Sequence, residues 1–197
     1  MLSIGRPAWY PLETDFDRPP INSVTAALHR HAMRDTRFVI QILFQPNGGR
    51  PLRRWWWRRR GYQQRNYLKK EKEKLWGTIT PTNRERAQAR AIDDKIGNAR
   101  FHTSIRYAII GAGDHTPSRV KEIAGSFNVF ESPVTGQYLN ANTVRSLRQK
   151  RIIGFANAIA NREFGRWSHR FHTSEAELAG LVSLPDRNQH NIKRAEP

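Results

Sequence analysis

The chain has 197 residues, which suits one domain or one domain with an extension, and 38% of them are hydrophobic, enough for a modest core. Thirty-four Lys and Arg against 17 Asp and Glu give a net charge of +17, an excess that favours polyanionic partners, nucleic acid before anionic lipid. The lack of cysteine excludes a disulfide framework and any Cys-based zinc site, and the longest uncharged apolar-rich stretch, 38–49, is far short of the ~20 residues that a membrane span needs.

Residues 1–20 hold four of the eleven prolines and little periodicity, so we expect an irregular N-terminal arm with no secretory signal. A cytoplasmic protein is the default expectation. INSVTAALHRHAM then offers Val24, Ala27, Leu28 and Met33 to one helix face. In RFVIQILFQP, Phe38, Ile40, Ile42 and Phe44 alternate with Val39, Gln41, Leu43 and Gln45, the period of a strand. This register sends Ile40 and Ile42 to the core and makes Gln41 expendable.

From Arg50 to Trp76 the chain carries eleven Lys or Arg against Glu71 and Glu73, a net of +9. Most of these residues are good helix formers, but only Tyr62, Leu68, Leu75 and Trp76 could bury much, so the block reads as a solvated helix. Thr82 with Glu85 three residues on makes a capping box for a second helix that ends at Gly97-Asn98. ARFHTSIRYAIIGAG is the next strand. Phe101, Thr103, Ile105, Tyr107 and Ile109 form one face; His102, Ser104, Arg106 and Ala108 form the other, as in a half-exposed antiparallel sheet.

Thr116-Pro117 opens a helix whose Val120, Ile123, Ala124 and Phe127 make a core-facing stripe. ESPVTGQYLNAN is turn-rich with room for a short strand, and the following segment to Phe164 is mixed helical. RFHTSEAELAGLVSLP closes the domain with a short strand, a Ser174/Glu177 capping box and a helix stopped by Pro185. RFHTS occurs at both 100–104 and 170–174, but the flanks differ and no internal repeat is inferred. The expected organisation is an arm over 1–20, a single α+β domain over 21–185 and a polar tail over 186–197. The sheet is small and mainly antiparallel, with helices on one face. A long basic helical excursion over 50–97 projects from it.

Chemistry-bearing motifs are few. Gly111-Ala112-Gly113 lacks the third glycine of a dinucleotide turn, and no phosphate loop of the form GxxxxGK[ST] is present. His29 and His31 lie two apart on a helix and so do not face each other, while His169 and His172 read as solvated. Asp93-Asp94 reads as a helix-surface pair. No Ser, His or Asp falls in a nucleophile motif. We therefore expect a non-catalytic protein with no metal and no cofactor.

The chemistry concentrates instead in RRWWWRRR and the basic residues just beyond it: Arg53, Arg54, Trp55, Trp56, Trp57, Arg58, Arg59, Arg60, Arg65, Lys69 and Lys70. Lys and Arg neutralise phosphates, and exposed rings stack on unpaired bases for ~1–3 kcal/mol each. These residues are the candidate nucleic-acid-binding set. A membrane surface also takes Trp beside Arg, but consecutive tryptophans spread around a helix and no Leu or Ile stripe extends them. A third reading is a protein–protein adaptor whose basic arm docks on an acidic partner.

Several phrases in order, FVIQILFQP, FHTSIRYAIIGAG, VKEIAGSFNVFESPVTGQYL and HTSEAELAGLVSLP, resemble the region preceding the ATPase core of TraG-like and HerA/FtsK-like conjugative coupling ATPases, above all the haloarchaeal ones. The matching elements are 41–46, 101–111, 124–130 and 174–185. The resemblance implies a type IV secretion-like DNA-transfer context, DNA as ligand, and a partner ATPase subunit that would bring the protein to the inner face of the membrane. That family continues into a Walker A loop, which this chain lacks, so the resemblance implies a stand-alone or truncated copy. Nucleotide hydrolysis does not carry over.

Overall fold

The computed structural model describes residues 1–29, 37–47, 51–74, 77–111, 113, 116–142, 149–165 and 168–185. The alternating strands dominate the architecture. β2 (Arg37–Pro46) pairs antiparallel with β5 (Ala99–Ile110) along ten residues, from Arg37 opposite Ile110 to Pro46 opposite Phe101. On the other edge of β5, two short strands share the space. β7 (Phe171–Ser174) takes its first half, and β1 (Leu2–Ile4) meets it at Ile105. β6 (Leu139–Ala141) then pairs with β1, so the sheet runs β2-β5-β1-β6 with β7 beside β5. The fold is α+β with an antiparallel sheet, as the alternation predicts.

The two RFHTS copies pair with each other. Phe101 lies opposite Thr173, His102 opposite His172 and Thr103 opposite Phe171, a local near-symmetry centred on the two histidines. The Thr103 and Thr173 hydroxyls hydrogen-bond at 2.7 Å on the buried face.

The apolar face of the sheet carries the main core. α1 (Ile21–His29), α4 (Thr116–Ser126) and the 3-10 turn Phe127–Phe130 bring Val24, Ile123, Phe127 and Phe130 onto Ile105, Tyr107 and Phe171. The expected stripe on α4 thus faces inward. α6 (Glu175–Leu181) adds Leu181 to this core, and its Ser174/Glu177 capping box forms as the spacing requires.

Residues 1–20, expected as an irregular arm, are instead built into the domain. Leu2 is completely buried between β5 and β6, and Tyr10 and Leu12 are nearly so. A buried glutamine holds this segment down. Gln137 accepts from the Arg6 amide and donates to the carbonyls of Arg6, Pro7 and Tyr10. These partners lie about 130 positions apart in sequence, beyond the reach of any local pattern.

The polar face is also covered, so the half-exposed reading of the sheet needs correcting. Residues 103–107 of β5 are all buried, on both faces. α5 (Gln149–Ala160) docks its C-terminal end there. Arg106 is fully buried and donates to the carbonyls of Ala158 and Glu163, each at 3.0 Å, and to the Gln41 side chain. Gln41 in turn donates to the Ile159 carbonyl at 3.1 Å. That end of α5 turns through Arg162 at φ 54, with Glu163 N bonded to the Ala158 carbonyl and Arg162 N to the Ile159 carbonyl. This is the helix-stop geometry in which the terminal carbonyls converge. Gln41, read from alternation as expendable, is part of that clasp.

The basic segment does not run as one solvated helix to Trp76. α2 (Pro51–Lys69) ends earlier, and Lys72–Lys74 (β3) pairs with Gly77–Ile79 (β4) as a hairpin before α3 (Asn83–Asn98). α3 opens on the expected capping box: Thr82 N donates to Glu85 at 2.8 Å and Glu85 N to Thr82 Oγ1 at 3.2 Å. Nor does the pair of helices simply project. α2 and α3 pack on each other around a second core of Tyr10, Leu68, Ala89, Ile92 and Ile96, with Trp9, Trp57 and Tyr62 at its margin. Gly61 is the point of closest approach, since a Cβ there would run into the Ile96 side chain.

Candidate nucleic-acid interface

α2 begins at a proline, whose fixed φ suits the first turn, and then holds seven Lys or Arg with no acid, with Lys70 directly after it. A helix advances ~100° per residue, so three consecutive tryptophans must face three directions. The helix divides them accordingly. Trp57 shares a stripe with Gly61 and Leu68 and turns inward, its ring 4.6 Å from that of His172. Trp55 and Trp56 stay outside, 52% and 54% exposed.

Each exposed tryptophan carries an arginine one turn on. The Arg59 guanidinium lies 5.1 Å from the Trp55 ring centre, and that of Arg60 lies 4.9 Å from Trp56. Such cation–π pairs contribute ~0.5–1 kcal/mol at exposed sites and hold the long side chains against the helix. Arg58 reaches Tyr62 Oη at 3.4 Å. A groove runs along this flank of α2, lined by Arg54, Trp55, Arg58, Arg59, Tyr62 and Asn66 among others.

Most of the residues expected from the sequence therefore lie on an exposed helical surface. Arg54, Arg59, Arg60, Lys69 and Lys70 are exposed, Arg58 partly so, and the Arg53 side chain lies outside the described set. Two expectations need correction. Trp57 is packed between helix and sheet because its angular position coincides with the buried stripe. Arg65 is only partly exposed and is engaged within the protein's own contacts, stacked on Tyr62 and paired with Asp93 at 2.7 Å, where it ties α2 to α3. Asp93, read as surface decoration, is thus half of a helix–helix contact.

His172 is the residue that sequence reasoning missed. It was expected in solvent, but it stacks between Trp57 and His102, whose ring centre is 4.5 Å away. The Asn47 amide donates to His172 Nδ1 at 3.2 Å. Burial, reinforced by His102 and Lys95, pushes its pKa down to about 4, so the imidazole is neutral near pH 7. The repeated RFHTS was the available signal, because identical strands paired antiparallel about a central residue place the two copies of that residue, here His102 and His172, opposite each other.

Among the described residues no three His, Asp or Glu side chains gather as metal ligands would, and no helix is long and apolar enough to cross a membrane. His29, His31 and Met33 lie outside the described side chains. No curated protein and no solved structure matches this chain. Residues 1–197, the whole chain, match the family model described as Domain of unknown function (DUF8128), and the protein belongs to that family.

Proposed function

We propose that this protein is a non-catalytic DNA-binding domain that grips the phosphate backbone with α2. The observation that carries the reading is the basic surface of that helix and the residue after it: Arg54, Arg59, Arg60, Lys69 and Lys70 are exposed, and no carboxylate occurs over 51–70. A duplex or a single strand meeting this surface would release condensed counterions, the main source of affinity in backbone binding. The resemblance to the region preceding conjugative ATPase cores suggests a context: DNA handled in the cytoplasm beside a separate motor subunit.

The test is fluorescence anisotropy of labelled DNA across a salt series. If ~5–8 phosphates of a single strand are neutralised, log affinity should fall against log salt with a slope of about −3.5 to −5.5. Arg58→Ala/Arg59→Ala/Arg60→Ala should reduce that slope by roughly 2. Lys121→Ala/Lys150→Ala/Arg151→Ala removes the same charge from α4 and α5 and should leave the affinity within about threefold. Equal losses in the two triple variants would mean that only net charge matters. No binding at about 50 mM salt would overturn the proposal and leave the adaptor reading, in which α2 docks on an acidic protein.

A further inference from the structure

The rings on α2 add something that charge alone does not need. One flank of the helix carries Arg54, Trp55, Arg58, Arg59, Tyr62 and Asn66 along a single groove, at the i, i+3, i+4 spacing of one continuous stripe. Trp55 and Tyr62 are two turns apart, about 10 Å along the axis. The Trp55 ring has the Arg59 guanidinium over it and is half exposed, while Tyr62 is fixed by Arg58 at its hydroxyl and by Arg65 over its ring. Rings held in place ahead of binding lose little freedom when a ligand arrives. The opposite flank has its own tryptophan, Trp56, but among the described side chains only Arg60 lies over it.

We infer that this stripe is a track for an unpaired nucleic-acid strand, with Trp55 as the base-stacking platform and Arg54, Arg58 and Arg59 as the phosphate contacts. The inference rests on the DNA-binding reading and specifies its ligand. In a duplex every base face is already stacked on its neighbours, so an exposed indole gains nothing from it. In a single strand each base offers a free face, and stacking on Trp depends little on sequence. The phosphate contacts serve either form; the ring discriminates between them.

The experiment compares a mixed-sequence DNA strand of about 20 nucleotides with its duplex, using the full chain. The single strand should bind at least tenfold more tightly and should quench tryptophan emission. Trp55→Ala should weaken binding to the strand by about 5- to 150-fold and remove most of the quenching, while duplex affinity stays the same. Tyr67→Ala, an exposed ring on the same helix that does not line the groove, is the control and should change neither. Circular dichroism of both variants should match the wild type, since both positions are exposed and alanine favours helix. Equal affinity for strand and duplex, with Trp55→Ala silent, would overturn the inference while DNA binding itself stands. A Tyr67→Ala loss as large as that of Trp55→Ala would also overturn it, because the groove would then not be the track. An RNA strand of the same sequence preferred by tenfold or more would support the unpaired-strand inference and overturn DNA as the ligand.

Discussion

Lys95 Nζ lies 2.7 Å from Glu177 Oε1, and the two side chains are 1% and 0% exposed. The pair joins α3 to the first turn of α6. The Glu177 carboxylate also accepts from Leu12 N at 2.8 Å and Ser174 N at 2.7 Å, and Lys95 donates to the Tyr10 carbonyl at 3.2 Å. One ion pair therefore holds the basic helical pair, the N-terminal segment and the α6 cap together. Desolvation offsets much of the Coulombic gain in such a pair, but breaking it leaves a buried charge with no counter-charge.

Lys95→Met should accordingly destabilise the fold by about 3–5 kcal/mol in urea unfolding. Adding Glu177→Gln removes the stranded charge while keeping a carbonyl oxygen for Leu12 N. The double variant should therefore recover at least ~1 kcal/mol relative to Lys95→Met, a coupling that a double-mutant cycle reads directly. Strictly additive losses would show that the two residues act independently, whatever their separation.

Local patterns made much of this fold legible. The alternation in β2 and β5, the stripe on α4 and both capping boxes depend on neighbours within one or two turns, and they form where the residues require. What stayed hidden depends on distant partners. Leu2 becomes a central strand residue only because β5 and β6 arrive on either side of it, and Gln137 acts on Arg6, Pro7 and Tyr10. KEK at 72–74 has no apolar residue to mark a strand, so the hairpin with 77–79 merged into the preceding helix. At the candidate interface, helical geometry already implied that Trp55, Trp56 and Trp57 diverge. Which of them turns inward was set by His172, far along the chain, and by Gly61 letting α3 approach.

Gln41 illustrates the same limit and yields a second expected outcome. Its side chain accepts from Arg106 and donates to the Ile159 carbonyl, so with the Ala158 and Glu163 carbonyls it completes the acceptors of the guanidinium. Burial lowers the Arg106 pKa, and the Glu163 carboxylate partly counteracts that. Removing Gln41 strips a neutral acceptor from a buried cation and a donor from the α5 terminus. Gln41→Ala should cost about 1.5–3 kcal/mol, comparable with Ile40→Ala on the neighbouring apolar face, and should speed amide hydrogen exchange in α5. A Gln41→Ala melting curve superimposable on the wild type, with α5 exchange unchanged, would mean that the clasp contributes nothing.

His172 makes stability depend on pH in a definite direction. Its folded pKa is about 4, against 6.5 for a free histidine, so the native state refuses a proton that the unfolded state accepts. Above pH 6.5 the ring is neutral in both states and its contribution is complete. As pH falls from about 6.5 towards 4, the unfolded chain takes up the proton first, and stability is lost progressively. Below about pH 4 the native ring protonates too, and this group causes no further loss. The structural reason is burial in the stack closed by Trp57 and His102, reinforced by His102 and the Lys95 charge; the Asn47 amide donating to Nδ1 leaves that nitrogen no place for a proton either. Urea unfolding at intervals from about pH 7.5 down to about pH 4.5 should therefore show a smaller decline for His172→Gln than for the wild type, with the two curves converging towards acid pH. Carboxylate titration is common to both proteins and cancels in the difference. The same decline in each would mean that His172 protonates freely in the folded state, and the Trp57–His172 contact could not then be what seats α2 on the sheet.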